Sequence, residues 1–376
     1  MRMDLSTNDF VYAGVPCPGF PLLSDDDLTP LEPFHSFLVE DLLDDGRPLK
    51  ALTWEAYGRR IWDYASFLRA HNIDWRPGGE SAGQGPVVRY RDWSRSDGQS
   101  VAISTLNDRL SVVVRFYEWA LKTGRITKLP FKRSEVRLRG DMDSYEFIQS
   151  QGALARLKPR ESPPPLAFLT KPQVAVVRTA HLGPTRKLMF EMGARTGMRS
   201  SEIRTFPLSY VFNPTEKCSW LDPSGMVRIA LNPSDMELKF DKGRTIALPA
   251  SLMREMHGYA SFYRPGLSRG KEAGTLLLTA RGRPFDKDAV VDAFSAISSI
   301  VGFRVHAHIL RHTFAVHFLL RARSAPDYVG DPLGELMNQL GHASLKSVLV
   351  YLKHIGQASV AASLALQRHF DDIFAD

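Results

Sequence analysis

Three consecutive prolines, Pro163, Pro164 and Pro165, interrupt the sequence near its middle. A run of prolines favours an extended backbone and is incompatible with a helix interior. The segment around it, residues 157–170, is therefore predicted to be a linker. A chain of 376 residues is also longer than one ordinary domain. We expect two domains, one on each side of the linker, each with its own hydrophobic core.

The sequence before the linker divides into two parts. Residues 1–50 are rich in Pro, Gly and Asp and show little periodicity, which predicts an irregular N-terminal arm. Residues 51–156 are predicted to be a helical domain with two amphipathic helices, joined by a polar, Gly-rich loop at 75–100. Each helix has apolar residues at three- and four-residue steps on one face: Trp54, Tyr57, Ile61, Tyr64 and Leu68 in the first, and Leu106, Leu110, Val113, Tyr117 and Leu121 in the second.

The sequence after the linker, residues 171–376, mixes two periods. Thr170 is a suitable N-cap for a helix that has Pro172 in its first turn. Helical patterns then continue to about residue 206 and return from about residue 287. Between them, residues 227–231, 236–240 and 244–248 predict three short strands, with a tight turn at 241–243. The predicted fold class is mainly α with a small β-sheet (α+β).

Positive charge is concentrated in two places. The formal net charge is +7, which is compatible with a polyanionic partner. One short segment contains Lys132, Arg133, Arg137 and Arg139, and the polar face of the second helix carries Arg109, Arg115 and Lys122. These residues are candidate contacts to nucleic-acid phosphates. An ordinary solvated surface is the alternative interpretation for both groups.

Composition excludes several classes of protein. Cys17 and Cys218 are the only cysteines in the sequence, which argues against a disulfide framework or a structural zinc site. No apolar run reaches the roughly 20 residues that a transmembrane helix needs. The first residues lack the apolar core of a signal peptide. We therefore expect a cytoplasmic protein with no membrane partner.

Three short motifs after the linker combine arginine, histidine and tyrosine. They are Thr196-Gly197-Met198-Arg199-Ser200-Ser201-Glu202, then His308-Ile309-Leu310-Arg311, then Leu340-Gly341-His342 with Tyr351 nine residues after the histidine. The planar guanidinium of arginine binds two phosphate oxygens and keeps its charge. Glu202 follows Arg199 by three residues, so on a helix it can orient that guanidinium.

Each of these residues also has an ordinary explanation when it is taken alone. An arginine with a glutamate three residues later is usually a surface ion pair, and single histidines and tyrosines usually serve packing. The sequence also contains His306, His308, His312 and His317, but their spacing matches no common zinc motif, so we expect no metal.

The combination of motifs resembles the tyrosine recombinase (phage integrase) family. The order agrees: an arginine in a Thr-Gly-x-Arg-x-x-Glu segment, a lysine on a predicted β-hairpin, His-x-x-Arg, Leu-Gly-His, and a tyrosine nine residues later. The resemblance covers most of residues 50–376. It implies a helical DNA-binding domain at 51–156 and a mixed α/β catalytic domain at 171–376, clamped around duplex DNA.

The resemblance implies a nucleophile and two proton carriers. Tyr351 would attack the scissile phosphorus, form a 3′-phosphotyrosyl link and expel a 5′-hydroxyl. His308 is placed to accept the tyrosine proton, although roles in the family also include phosphate contact. Lys239 falls where the family carries a hairpin lysine that protonates the leaving 5′-oxygen. Lys242 is the alternative for this role, and we prefer Lys239.

The resemblance also implies three phosphate contacts. Arg199 and Arg311 would bind the non-bridging oxygens and stabilise the charge that develops on them, and His342 would donate a further hydrogen bond. Because the phosphotyrosyl link conserves the bond energy, no ATP, metal or other cofactor is expected.

The expected function is site-specific DNA recombination, for integration, excision or resolution of a mobile or circular DNA. The expected partners are double-stranded DNA with specific recombination sites, three further copies of the chain in a tetramer on that DNA, and accessory DNA-bending proteins. The enzyme would be associated with the nucleoid when bound to DNA. Two alternatives are a type IB topoisomerase, which uses the same chemistry to relax supercoils, and a DNA-binding regulator with a silent active site.

Some features depart from the family pattern or leave a choice open. Val348 stands where the family often has threonine, the connection at 321–332 looks longer than usual, and the first fifty residues have no obvious counterpart in the family. The amphipathic tail at 358–374 would dock on a neighbouring protomer or pack on its own domain.

Overall fold

The chain forms two compact units, Met1–Pro163 and Pro164–Asp376. The structure is a computed structural model, and it describes residues 1–43, 51–78, 85–96, 98, 101–131, 157–159, 166–217, 225–270, 273–324, 330–341, 348 and 351. Helices dominate both units and the sheets are small, so the predicted fold class is confirmed. Among the described residues, no helix is both long enough and apolar enough to cross a membrane.

In the residues that the structure describes, the first unit has two small antiparallel sheets and four helices. Strand β1 pairs with β4, and β2 pairs with β3. The elements are β1 (Arg2–Leu5), β2 (Val11–Tyr12), β3 (Val15–Pro16), β4 (Pro21–Ser24), α1 (Phe34–Leu42), α2 (Ala51–Ala70), α3 (Pro86–Ser94) and α4 (Ile103–Lys122). The two predicted amphipathic helices are α2 and α4, and the middle of each predicted apolar face is buried.

The prediction of an irregular arm for residues 1–50 is wrong for residues 1–43. Phe20 and Leu23 from the strand region, and Phe37 from α1, are buried in the same core as α2 and α4. The glycines that suggested irregularity lie in turns, where Gly14 and Gly19 both have φ of 82°. Strands of two to four residues are too short to show a period in sequence. Residues 44–50 lie outside the described part of the chain.

The predicted loop at 75–100 is also partly wrong, because it contains helix α3. Pro86 begins this helix, a position where the missing N–H costs nothing. Val87 and Tyr90 are fully buried, and the Tyr90 hydroxyl donates to Asp63. In the sequence, α3 has only one short apolar face, and the glycines and polar residues around it obscure the helical period.

The second unit surrounds a two-stranded antiparallel sheet with helices. Its elements are α5 (Lys171–Thr179), α6 (Pro184–Thr196), α7 (Ser200–Arg204), α8 (Pro214–Lys217), β5 (Met226–Leu231), β6 (Arg244–Pro249), α9 (Ala250–Gly258), a π-helical turn (Tyr259–Tyr263), α10 (Arg264–Ser268), α11 (Lys287–Val301), α12 (Ala307–Ser324) and α13 (Pro332–Leu340). Strand β5 alternates strictly, with Val227, Ile229 and Leu231 buried. Thr170 caps α5 through a reciprocal bond with Gln173, as its sequence predicts.

The middle one of the three predicted strands does not form. Strands β5 and β6 pair directly, from Met226 opposite Pro249 to Leu231 opposite Arg244. Residues 232–243 are the connecting loop, and Lys239–Asp241 form a short 3-10 turn within it. Phe240 has φ of 61°, a left-handed conformation that ends any extended strand. Lys239 therefore lies on the loop of the hairpin and not on a strand.

Both ends of the predicted linker pack into the cores. Leu157 is buried in the core of the first unit. Leu169 is buried in the second, where its N–H donates to the Thr313 hydroxyl over 2.8 Å. The three consecutive prolines, residues 163–165, lie outside the described part of the chain.

Replacing Phe20 tests whether the N-terminal segment belongs to the core. Phe20 is fully buried, stacks on Phe10 with ring centroids 5.4 Å apart and meets the edge of Trp54 at 5.8 Å. We expect Phe20→Ala to lower the free energy of unfolding by about 3–5 kcal/mol, through lost burial and the cavity left behind. Denaturant titration followed by tryptophan fluorescence measures this change.

The matched control is Val15→Ala in the same segment. Val15 is 61% exposed, so its truncation should change the free energy of unfolding by less than about 0.5 kcal/mol. Equal, small effects of both substitutions would mean that residues 1–43 add nothing to the core.

Candidate active site

Arg199 is positioned by a sharp turn between α6 and α7. Helix α6 ends at Gly197, which has φ of 69° and lies so close to Leu340 that a Cβ atom would be 2.5 Å from its Cδ2. Only glycine suits both conditions. Arg199 then adopts an extended conformation as the N-cap of α7, and its backbone N–H donates to Glu202 over 2.9 Å.

A fully buried carboxylate, that of Glu202, holds two arginines. It accepts a 2.9 Å hydrogen bond from Arg199 and two 2.8 Å bonds from Arg244. Burial alone would raise the pKa of Glu202, but the hydrogen bonds and charge of Arg244, followed by those of Arg199, outweigh it and hold the pKa below its ordinary value. Glu202 is therefore ionised at neutral pH, and its carboxylate accepts a hydrogen bond from the guanidinium that it is predicted to orient.

Three arginines bind three consecutive carbonyls at the C-terminal end of α13. Arg244 donates to Gln339 over 3.1 Å, Arg311 to Leu340 over 2.6 Å, and Arg199 to Gly341 over 3.0 Å. The last carbonyls of a helix have no partner within the helix and carry partial negative charge, so cations stabilise them. The end of α13 thus brings Arg199 and Arg311 together, although they are far apart in sequence.

Arg311 is almost completely enclosed. It is 4% exposed and donates a second hydrogen bond, 2.9 Å long, to the carbonyl of Gly197. Burial, and after it the positive charge of Arg199, lowers the pKa of Arg311 to about 10. The guanidinium remains a cation at neutral pH, and its geometry is fixed by backbone atoms.

The side chain of Gln339 forms hydrogen bonds that link the C-terminal end of α13 to two other elements of the unit. Its amide nitrogen donates to the carbonyls of Thr196, over 3.1 Å, and Ala247, over 2.9 Å. Its amide oxygen accepts from the N–H of Ala247 over 2.8 Å. The side chain therefore joins α13 to the end of α6 and to strand β6.

Tyr351 is 3% exposed and packs against a cluster of apolar side chains. Its hydroxyl lies 2.9 Å from Nδ1 of His312 on α12. Burial raises the pKa of Tyr351, and the charges of Arg311 and Arg199 act in the opposite direction. The phenol is therefore protonated at neutral pH and has a hydrogen-bond partner able to take its proton.

His308, the predicted proton acceptor, lies one helical turn before His312. The two ring centroids are 4.1 Å apart, and the rings meet edge to face. Partial burial, then the charges of Arg311 and Arg199, lowers the pKa of His308, so it is neutral at pH 7. The Tyr351 hydroxyl is hydrogen-bonded to His312, which sequence reasoning did not single out. The sequence signal for His312 was its place directly after Arg311 and four residues after His308, on the same helix face.

Lys239 and Lys242 both line a cleft beside Arg199. The cleft has a volume of about 190 Å³ and also includes Gly341. The ammonium of Lys239 lies 4.9 Å from the centroid of the exposed Phe240 ring. The structure therefore brings both candidate lysines to the end of α13.

The candidate DNA contacts of the first unit divide into two groups. Arg109 pairs with Asp63, and Arg115 pairs with Asp41, each over 2.8 Å, so both arginines take part in ion pairs within that unit. Lys122 is exposed at the end of α4. Other candidates lie outside the described part of the chain: Lys132, Arg133, Arg137, Arg139 and His342.

The described residues thus place two cations, a lysine-bearing cleft and a phenol paired with an imidazole around one helix end. Fixed cations stabilise charge that develops on phosphate oxygens, and an imidazole can help a phenol to become a nucleophile. No group of three or more metal-ligating side chains occurs among these residues. Val348, one of the departures from the family pattern, is buried in the Tyr351 cluster. Part of the 321–332 connection and the whole tail at 358–374 are outside the described residues.

Comparison with known proteins gives one consistent result. The phage integrase family matches residues 173–357. The tyrosine recombinase XerC of Lactobacillus delbrueckii subsp. bulgaricus is 24% identical over 300 residues, covering 78% of this chain and 87% of its own. The tyrosine recombinase XerD of Ralstonia nicotianae is 24% identical over 315 residues, covering 82% of this chain and 85% of its own.

Solved structures show the same fold. XerH recombinase bound to palindromic difH substrate has a TM-score of 0.54 at 17% identity, covering 86% of this chain and 83% of its own. A lambda integrase dimer bound to a COC′ core site has a TM-score of 0.54 at 15% identity, covering 84% of this chain and 94% of its own.

Glu202→Gln tests the buried carboxylate. Removing the charge leaves Arg199 and Arg244 without their anion, which should lower the free energy of unfolding by about 3–5 kcal/mol at pH 7. Because folding lowers the pKa of Glu202, its contribution is present above the ordinary value of 4.5 and is lost as the pH falls through the lower folded value. The difference in free energy of unfolding between wild type and Glu202→Gln should therefore become smaller at acidic pH. Denaturant titrations at several pH values measure it.

Glu237→Gln is the matched control, since Glu237 is exposed and pairs with Arg204 at the surface. We expect Glu237→Gln to change the free energy of unfolding by less than about 1 kcal/mol. A deficit for Glu202→Gln no larger than the control would show that the buried carboxylate does not hold the site together.

Proposed function

We propose that this chain, which belongs to the phage integrase family of tyrosine recombinases, is a site-specific DNA recombinase that cuts and rejoins strands through a phosphotyrosine. The observation that carries the proposal is the position of Tyr351. Its hydroxyl is hydrogen-bonded to His312, and the charges of Arg311 and Arg199 act on it. A phenol, a proton acceptor and two fixed cations are what attack on a phosphodiester requires.

In the proposed cleavage step, the Tyr351 oxygen attacks phosphorus and the bond to the 5′-oxygen breaks. Arg199 and Arg311 bind the non-bridging oxygens, where negative charge grows in the transition state. Hydrogen bonds to backbone carbonyls hold both guanidiniums in place before DNA arrives. His308, beside these arginines, is proposed to contact the same phosphate, together with His342.

The leaving 5′-oxygen needs a proton, and Lys239 is the proposed donor. Lys239 and Lys242 both line the cleft beside Arg199, so position alone does not separate them. Lys239 is preferred because it holds the place of the hairpin lysine in the family. Rejoining is the reverse reaction, in which a 5′-hydroxyl attacks the phosphotyrosine.

Double-stranded DNA with specific sites is the proposed partner, bound by a tetramer of this chain. The support is that two proteins with this fold were solved as complexes: XerH recombinase bound to palindromic difH substrate, and a lambda integrase dimer bound to a COC′ core site. Integration, excision or resolution of a mobile or circular DNA, with accessory DNA-bending proteins, is part of the proposal. Exposed Lys122 is a proposed DNA contact, as are the basic residues of 132–139, in a helical DNA-binding domain at 51–156.

The two alternative functions are not favoured. The relatives are named as tyrosine recombinases and not as topoisomerases. A silent regulator would not need the arrangement of Arg199, Arg311 and Tyr351 that the structure contains.

Tyr351→Phe tests the nucleophile. The probe is a nicked duplex whose sequence is enriched from random DNA by covalent capture on the wild-type chain. With a chelator present, the wild type should form a covalent adduct that denaturing electrophoresis resolves, and the variant should form none, because it lacks the attacking oxygen. Tyr263→Phe, a partly exposed tyrosine of the same unit, should leave the adduct unchanged. An adduct on Tyr351→Phe would remove this residue as nucleophile.

Changing the leaving group of the substrate distinguishes the roles of Lys239 and Lys242. A substrate with sulfur in place of the 5′-bridging oxygen needs no proton donor, because a thiolate leaves readily. On ordinary DNA, we expect Lys239→Ala to slow single-turnover cleavage by about 10²–10⁴-fold, the usual contribution of a general acid. The sulfur substrate should restore the rate.

Lys242→Ala is the paired variant and should show no such recovery. If sulfur rescues Lys242→Ala and not Lys239→Ala, the assignment of the two lysines is reversed.

A further inference from the structure

We infer that His312, and not His308, accepts the proton of Tyr351 during cleavage and returns it during rejoining. This inference rests on the proposed function and adds a catalytic residue that the sequence motifs did not single out. It depends on one contact, the 2.9 Å hydrogen bond between the Tyr351 hydroxyl and Nδ1 of His312.

Tyr351 needs such an acceptor because it is enclosed. Its ordinary pKa is near 10, so fewer than about one phenol in a thousand is ionised at pH 7. Its side chain is only 3% exposed, so bulk water has little access to it. A proton acceptor must therefore come from the protein, and His312 is in hydrogen-bond range.

Each ring nitrogen of His312 has a different task. To accept the tyrosine proton, Nδ1 must be unprotonated and the single proton of the neutral ring must be on Nε2. His312 is partly buried on α12, one turn after His308 and next to Arg311. The edge-to-face contact with His308, 4.1 Å between centroids, limits how its ring can rotate.

His308 is placed for a different role. The side chain of His308 is more exposed than that of His312. The charges of Arg311 and Arg199 act on His308, and these arginines are the proposed phosphate ligands. A neutral His308 can donate one N–H to a phosphate oxygen. His308 and His312 then have different roles, His308 as a phosphate contact and His312 as the partner of the nucleophile.

The proton balance closes in both directions. In cleavage, the proton moves from the Tyr351 oxygen to Nδ1 of His312, the oxygen bonds to phosphorus, and the departing 5′-oxygen takes a proton from Lys239. In rejoining, a 5′-hydroxyl gives its proton to neutral Lys239 and attacks phosphorus. The bond to Tyr351 breaks, and His312 protonates the tyrosine oxygen. The positive charge that forms on His312 is balanced by the positive charge that Lys239 loses, because the phosphodiester carries one negative charge both before and after cleavage.

Single-turnover cleavage of the nicked duplex by the full chain tests this inference. At pH 7, His312→Ala should be slower than wild type by about 10²–10⁴-fold. Its rate should keep rising with pH beyond the ordinary phenol value of about 10, because hydroxide then ionises Tyr351 and burial raises the pKa of this phenol. Added imidazole should also restore part of the rate. The substrate with 5′-bridging sulfur should give no recovery, because the missing group is a base and not an acid.

Two further variants separate proton transfer from positioning. In His312→Asn, the new side chain offers an amide oxygen near the place of Nδ1, so it can hold the tyrosine but cannot take its proton. This variant should be as slow as His312→Ala. His257→Ala, the same change elsewhere in the unit, should cleave at the wild-type rate. DNA affinity should be unchanged in all three variants.

The outcomes that overturn the inference are distinct. A wild-type rate for His312→Asn would reduce His312 to a positioning residue, and a wild-type rate for His312→Ala would remove it altogether. If His308→Ala is rescued by high pH and imidazole while His312→Ala is not, His308 is the acceptor. Failure of the wild-type chain to form any adduct would instead refute the proposed function, and with it this inference.

Discussion

The buried carboxylate of Glu202 is the interaction on which the rest of the site depends. It is fully enclosed, yet it stays ionised because Arg244 and Arg199 donate four hydrogen bonds to it. Removing it would leave two guanidiniums close to a third, Arg311, with no anion between them. One carboxylate thus connects α7 to strand β6 and fixes the direction of a proposed phosphate ligand.

The end of helix α13 completes the arrangement. Three successive backbone carbonyls there each accept a hydrogen bond from a different arginine, and Gln339 ties the same helix end to α6 and β6. Two of those arginines, Arg199 and Arg311, are the proposed phosphate ligands. Their orientation is therefore set by the fold before any substrate binds, which is the condition under which fixed charges stabilise a transition state most effectively.

Much of this could be predicted from sequence, and the exceptions have physical causes. Long amphipathic helices such as α2 show their buried face in their period, and Arg199, Arg311 and Tyr351 stand in recognisable motifs. Phe240 adopts a left-handed conformation that no propensity for aromatic residues predicts, so the strand predicted to carry Lys239 does not form. The contact of His312 with Tyr351 joins residues 39 positions apart and depends on packing that no local pattern encodes.

The central claim is that Tyr351 becomes covalently joined to DNA at this site. The direct measurement is mass spectrometry of the trapped adduct, after digestion of the protein by protease and of the DNA by nuclease. The account predicts a single modified peptide, with a 3′-linked nucleotide on the oxygen of Tyr351. A nucleotide on any other residue, or a 5′-phosphate linkage, would contradict it.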